Sequence, residues 1–275
     1  MKRSQFITVV SLLWLAAVSF AQTVRPMGLT HHSVTPGNPD AVLLFDDEFD
    51  GTSLNTTYWN QCYPESFSSW GCSNDSSIDL EWFWKNNVSV ANGYLNLTAM
   101  KQQEHGYNYT SGMIATGGSP LHQPGFTFLY GYMEMSAQFP PGKGMWPGFW
   151  LLPIDGTSPF EIDAMEWQGG VPDLDYATIH YDGVGDETVY YTGDNLSAGF
   201  HTYGLDWEAD SVTWYFDGKV IKTVTNSSEI CNVPMYVIVD LAVGGWISFP
   251  DKTTHFPATM LVDYVQVWSQ YPGAH

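Results

Sequence analysis

From Ala41 onward the chain alternates short apolar runs with turn residues. Ala41 to Phe45, Tyr94 to Met100, Tyr130 to Phe139, Ser211 to Phe216, Tyr236 to Ala242 and Met260 to Trp268 each carry the β-branched and aromatic content of a strand. Asn92-Gly93 and Asp217-Gly218 fall between such runs and predict tight hairpins, because both dipeptides accept the left-handed backbone that a two-residue turn demands. The signal is strongest over Val212-Thr213-Trp214-Tyr215-Phe216-Asp217-Gly218-Lys219-Val220, which reads as two strands and a turn. No long amphipathic helix, internal repeat or interdomain linker interrupts the series. Many short strands without intervening helices predict one all-β domain, an antiparallel sandwich.

The ends read differently. Lys2 and Arg3 precede an apolar run from Phe6 to Ala17, and Ser19-Phe20-Ala21 supplies the small residues of a cleavage site. Residues 1–21 therefore read as a secretory signal peptide, too short to span a bilayer comfortably. Residues 22–40, with Pro26, Gly28, Pro36, Gly37 and Pro39, form an extended lead-in to a domain over 41–270. Export fits the three cysteines. Cys62 and Cys72 lie close together in a loop-like stretch and suit a local disulfide, leaving Cys231 as a buried thiol; an intermolecular bridge is the alternative. Seven Asn-x-Ser/Thr sequons, at Asn55, Asn74, Asn87, Asn96, Asn108, Asn195 and Asn226, point to a glycosylated product, or else to an Asn/Thr-rich exoprotein whose sequons go unused.

Composition narrows the partners. Nine Lys+Arg against 29 Asp+Glu give a net charge of −20 over 275 residues. Such a surface repels phosphate backbones, anionic lipid and sulfated polymers, so neither nucleic acid nor membrane is an expected partner, and a monomer is the expected state. No CxxC pair or HExxH string suggests catalytic zinc.

The chemistry concentrates in Phe160-Glu161-Ile162-Asp163-Ala164-Met165-Glu166-Trp167. On a regular strand Glu161, Asp163 and Met165 share one face and Glu166 the other. One bulge between Asp163 and Glu166 would bring all three carboxyls to the same face. Two carboxylic acids in one groove with a third between them suit glycoside hydrolysis. Cα atoms at this spacing lie about 13–16 Å apart, and inward-leaning glutamates could approach the roughly 5–5.5 Å separation of a retaining enzyme. On spacing alone the string could equally be a solvated acidic strand or a calcium-binding edge. Upstream, Trp146 and Trp150 in Gly144-Met145-Trp146-Pro147-Gly148-Phe149-Trp150 are four apart and so share a strand face, where indoles can stack on sugar rings or simply pack in a core.

Together these two strings resemble glycoside hydrolase family 16, the laminarinases, lichenases, agarases and κ-carrageenases, with the laminarinase-like branch the nearest. The resemblance extends from Phe45-Asp46-Asp47-Glu48-Phe49 to Val262-Asp263-Tyr264-Val265-Gln266-Val267-Trp268. It implies a β-jelly-roll sandwich of two antiparallel sheets with an open concave cleft. It also implies Glu161 as nucleophile, Glu166 as acid/base, and Asp163 between them setting their protonation. Trp146 and Trp150 would line the subsites beside the scissile bond, with Trp246 also at the substrate and His180 near the acid/base. The six-residue acidic motif departs from the five-residue form of bacterial lichenases. Met235-Tyr236-Val237-Ile238-Val239-Asp240-Leu241-Ala242-Val243-Gly244-Gly245-Trp246 carries Asp240 where the family has Asn, which puts any contact made by that amide in doubt. No cofactor is implied for the chemistry. A structural calcium on the convex side is, with Asp263 giving a carboxylate and oxygens coming from near Glu48 and from Gly93. The expected function is a secreted retaining endo-hydrolase of β-1,3- or mixed β-1,3(1,4)-glucan. A galactan hydrolase or transglycosylase of the same fold, or a non-catalytic β-glucan-binding protein, is the alternative.

Overall fold

The computed structural model describes residues 37–63, 72–73, 77–117, 125–156, 160–181, 184–226 and 228–273. The proposed signal peptide, Asn74 and most of the lead-in lie outside these residues. In chain order the strands are β1 (Leu43–Asp47), β2 (Glu81–Phe83), β3 (Val88–Ala91), β4 (Tyr94–Ala99), β5 (Tyr109–Ser111), β6 (Met113–Ala115), β7 (Gly131–Gln138) and β8 (Met145–Pro153). They continue with β9 (Glu161–Trp167), β10 (Leu174–Tyr181), β11 (Val184–Tyr191), β12 (His201–Trp207), β13 (Val212–Phe216), β14 (Lys219–Val224), β15 (Met235–Val243) and β16 (Ala258–Trp268). A 3₁₀ turn, Lys85–Asn87, is the one helical element among the described residues, and no helix there is long and apolar enough to cross a membrane.

The strands form the expected two-sheet antiparallel sandwich. One sheet runs β14-β13-β12-β7-β16-β4-β3, with β1 also on β16; the other runs β11-β10-β9-β8-β15-β6. The short pair β2-β5 is parallel. Both hairpin dipeptides sit where expected. Asn92 (φ 59°) and Gly93 (φ 77°) join β3 to β4, and Asp217 (φ 46°) and Gly218 (φ 71°) join β13 to β14. Strand β1 begins two residues later than its apolar run, since Val42, Leu43 and Leu44 are exposed and only Phe45 enters the core.

Strict alternation builds the interior. On β15, Met235, Val237, Val239, Leu241 and Val243 face the opposing sheet, while Tyr236, Ile238, Asp240 and Ala242 face outward. The shared core also takes Phe149 and Leu151 from β8, Met133 and Met135 from β7, and Trp207 and Trp214 from β12 and β13. A smaller second core covers one end of the outward face of β15 and β6. Tyr63, Cys62, Cys72, Phe83 and Met113 pack there with Trp150, and Cys62 and Cys72 form the expected local disulfide while Cys231 is free and buried.

Candidate active site

The acidic string forms β9 and contains the bulge its spacing called for. Against β8, Phe149 pairs with Met165 and the next residue, Trp150, with Asp163, so Ala164 is skipped. Against β10, Tyr176 pairs with Glu166 and Thr178 with Asp163, so Ala177 faces both Ala164 and Met165. The extra residue turns Ala164 and Met165 both toward the core, with Ile162 and Trp167. Glu161, Asp163 and Glu166 consequently emerge on one face, lining a cleft with Trp146, Gly148, Trp150, Asp79, Asp240 and Ala242.

Strand β8 supplies the indoles. Trp146 and Trp150 point into the cleft between inward-facing Met145, Phe149 and Leu151. Trp146 Nε1 donates to Glu166 Oε1 at 3.1 Å, and Trp150 Nε1 donates to Asp240 Oδ2 at 2.9 Å. Between them Gly148 forms the floor. A β-carbon there would stand 3.2 Å from the Trp150 ring and 3.3 Å from Asp240 Oδ1. Trp246 lies edge-on to both Trp146 (5.1 Å) and Tyr176 (5.3 Å), extending the aromatic lining.

Burial dominates the protonation of the three acids. It raises the proton affinity of Asp163 well above the ordinary range, and the Glu161 charge and their shared hydrogen bond raise it further. Glu161 is also raised by burial, but His180 and the bond from Asp163 oppose the rise. Of this pair Asp163 is the one driven further toward holding a proton, and Glu161 is the more readily ionised. Glu166 is held well above the usual carboxyl range by burial and by the charges of Asp163 and Glu161, against the Trp146 bond. One carboxylate beside one carboxylic acid is the division of labour that double displacement at a glycosidic carbon requires.

His180 lies in the acid row. Its Nε2 lies 3.2 Å from Asp163 Oδ2 and 3.8 Å from Glu161 Oε1, because His180 pairs with Glu161 across β9-β10. It thus stands beside the Glu161–Asp163 pair and also acts electrostatically on Glu166.

Sequence reading did not find Asp79. An isolated bridge to Gly244 carries it to the cleft, and Gly244 (φ 131°) permits the approach, since a β-carbon there would collide with the Ile78 carbonyl. Nothing local in Ser77-Ile78-Asp79-Leu80 signals that pairing. Asp240 was noticed only as a departure from a family pattern. In the structure it is buried at 5% exposure, and burial pushes its carboxyl up to about 7 despite the Trp150 bond.

Register places Asp263 on the stretch of β16 between its pairings with β4 and β1. Val262 of β16 pairs with Leu95 of β4, and Val265 pairs with Asp47 of β1. Asp263 falls at a register shift of β16 against β7; in the chain Gly93 precedes β4 and Glu48 follows β1. Glu48 is buried and accepts from Gln266 Nε2 at 3.1 Å. Two carboxylates and a backbone carbonyl would be hard-oxygen donors of the kind calcium takes.

Comparison with known proteins adds an independent line. Residues 76–266 match the family model described as glycosyl hydrolases family 16. The chain is 35% identical to an endo-1,3-1,4-β-glycanase (EglC) of Rhizobium meliloti over 250 residues, covering 82% of this chain and 51% of that protein. It is 31% identical to a glucan endo-1,3-β-glucosidase of Cryptopygus antarcticus, covering 83% of this chain and 92% of the relative. The solved catalytic domain of an endo-1,3-β-glucanase (laminarinase) from Thermotoga petrophila superposes with a TM-score of 0.72 at 28% identity, over 84% of this chain and 98% of that one. The chain spans about half the length of several curated relatives.

Proposed function

The chain belongs to glycosyl hydrolases family 16, and we propose that it is an endo-acting β-glucanase that cleaves β-1,3- or mixed β-1,3(1,4)-glucan with retention of configuration. The observation that carries the reading is the bulged strand β9, which sets Glu161 and Glu166, the latter with its proton affinity driven higher, on one cleft wall beside the indoles of Trp146 and Trp150. Glu161 attacks the anomeric carbon while Glu166 protonates the leaving oxygen; Glu166 then takes a proton from the water that releases the glycosyl-enzyme. Asp163, by keeping the shared proton, stabilises Glu161 as a carboxylate.

The cleft argues for a neutral polymer. Asp79, Asp240, Glu161, Asp163 and Glu166 all line it. A sulfated or carboxylated chain would meet repulsion there whatever the total charge. The names of the relatives, endo-1,3-1,4-β-glycanase and glucan endo-1,3-β-glucosidase, support the same substrate class.

We also propose export, on the leader-like residues 1–21 and supported by the Cys62–Cys72 disulfide. Calcium held between Glu48, Gly93 and Asp263 would tie β1 and β4 to β16 and supply rigidity rather than chemistry. The test of function is reducing-sugar release from laminarin, barley mixed-linkage glucan, agarose and κ-carrageenan, with Glu161→Gln as blank. Release from either glucan that the variant lacks supports the reading. Release only from a galactan overturns the substrate, and glucan binding without release overturns the activity.

A further inference from the structure

Behind the acid row, on the core side of the sandwich, lies a buried cation. Lys222 of β14 belongs to the opposite sheet, at its edge, yet its side chain is only 6% exposed and crosses to the catalytic sheet. Its Nζ donates to the Ala177 carbonyl at 3.1 Å and to the Asp186 carbonyl, and lies 3.7 Å from Asp186 Oδ1. It also sits 4.8 Å from the centroid of the Trp214 ring, its direct cross-strand partner. Trp214 reaches the same place by another route, its Nε1 donating to the Asp163 carbonyl at 2.7 Å.

The location is specific. Ala177 is the residue that faces the Ala164–Met165 bulge, and Asp163 is the residue that opens it. A bulge disrupts the hydrogen-bond ladder locally. One cross-strand pair, Lys222–Trp214, supplies donors to a backbone carbonyl on each strand at that disruption. A buried ammonium is costly, and a well-packed apolar side chain of similar volume is often neutral or better for stability. Packing therefore gives no reason to keep a lysine here, whereas its position against the bulge does.

We propose that Lys222 is a positioning residue for the acid row, bracing the bulge of β9 from behind and setting a fixed positive charge on the core side of the Glu161–Asp163 pair. The groups facing Asp163 are Glu161 and Glu166 on its own strand, His180 on β10, Asp240 on β15 and Lys222 on β14, and Asp186 on β11 faces Lys222 in turn. Burial, Glu161 and Asp240 all drive Asp163 toward protonation, and Lys222 opposes them from the core side. Without that charge the doubly protonated pair would release its first proton only at higher pH, and Glu161 would be available as a nucleophile over a narrower range.

The inference rests on the proposed hydrolysis for its kinetic arm alone. In Lys222→Met, kcat on glucan is expected to fall on the order of 10–100-fold, the scale of a small misplacement of catalytic groups. KM should stay near wild type, and the acid limb of kcat/KM should move to higher pH. Lys222→Arg should return the limb toward its original position. Asp186→Asn, at a side chain 45% exposed and so tolerant of change, removes a competing negative charge and should move the limb the opposite way. The same shifts should appear in a ¹³C carboxyl NMR titration of Asp163, which requires no substrate and so separates a failure here from a failure of the glucanase reading. If Lys222→Met does not fold, the Asp186→Asn titration alone decides. Opposite shifts in the two variants support the role. A titration unmoved in both, or in Asp186→Asn alone where Lys222→Met is lost, overturns it.

Discussion

Each sheet of the sandwich carries on its outer face a polar group centred on an acid, and the two are built in opposite ways. On the convex sheet, Glu134 of β7 accepts from Tyr132 Oη through one oxygen and from Tyr264 Oη through the other, both at 2.6 Å. Its partners are neutral donors, and the arrangement is saturated. On the cleft sheet, Asp163 is surrounded by other acids. Its Oδ2 is buried without an aligned hydrogen bond, although His180 Nε2 stands 3.2 Å away. The first group has exchanged its water for protein donors and gains stability. The second keeps an unmet demand for protons, and that demand can be turned to chemistry.

The sharpest way to break this contrast is a pair of isosteric changes. Glu161→Gln should lower kcat on the order of 10⁴-fold or more while the protein stays folded, because the nucleophile is lost and little packing changes. Glu134→Gln should do the reverse, leaving kcat within about twofold and costing about 1–3 kcal/mol of stability as two charge-assisted bonds weaken. Turnover and thermal melting of both variants would show whether the two groups are separable.

The next effect is on pH. Asp240 has its carboxyl raised from 3.8 to about 7, so the folded state binds the proton more tightly than the unfolded chain. Its contribution to stability is therefore full below about pH 4 and is lost as pH rises through about 7. Asp240→Asn should remove that loss, so its melting temperature should exceed that of wild type at pH 8 by more than at pH 4. An equal offset at both values would show that burial is not what holds the proton there.

Smaller effects probe the frame of the cleft. Gly148→Ala places a methyl group against the Trp150 ring and Asp240, and should raise KM several-fold with little change in fold stability. Cys62→Ala with Cys72→Ala should cost about 2–3 kcal/mol, the scale expected for closing a short loop, and lower the melting temperature without touching the acid row. Chelation should lower it slightly in wild type and leave Asp263→Ala unchanged if Asp263 holds calcium.

Much of this was legible from residue spacing. The five-residue step from Glu161 to Glu166 made a bulge the condition for a shared face, since no regular strand places both on one side. The four-residue step from Trp146 to Trp150 predicted a shared face, and the Asn-Gly and Asp-Gly pairs predicted their hairpins. These are local consequences of a period of two and of turns needing positive φ. What stayed hidden depends on partners distant in sequence. Asp79 enters the cleft only through Gly244, 165 positions away along the chain. Lys222 reads as one polar residue of an edge strand, and nothing in Lys219-Val220-Ile221-Lys222 shows that it faces inward across to Ala177. His180 followed from a family position, but the register against Glu161 decided which acid it meets.

The most direct test of the central claim is ¹H NMR of the anomeric protons during the first minutes of laminarin hydrolysis, before mutarotation. Double displacement through Glu161 requires the newly formed reducing ends to appear first as the β-anomer, drifting later toward equilibrium. Initial appearance of the α-anomer would mean a single displacement by water and would contradict the role assigned to Glu161.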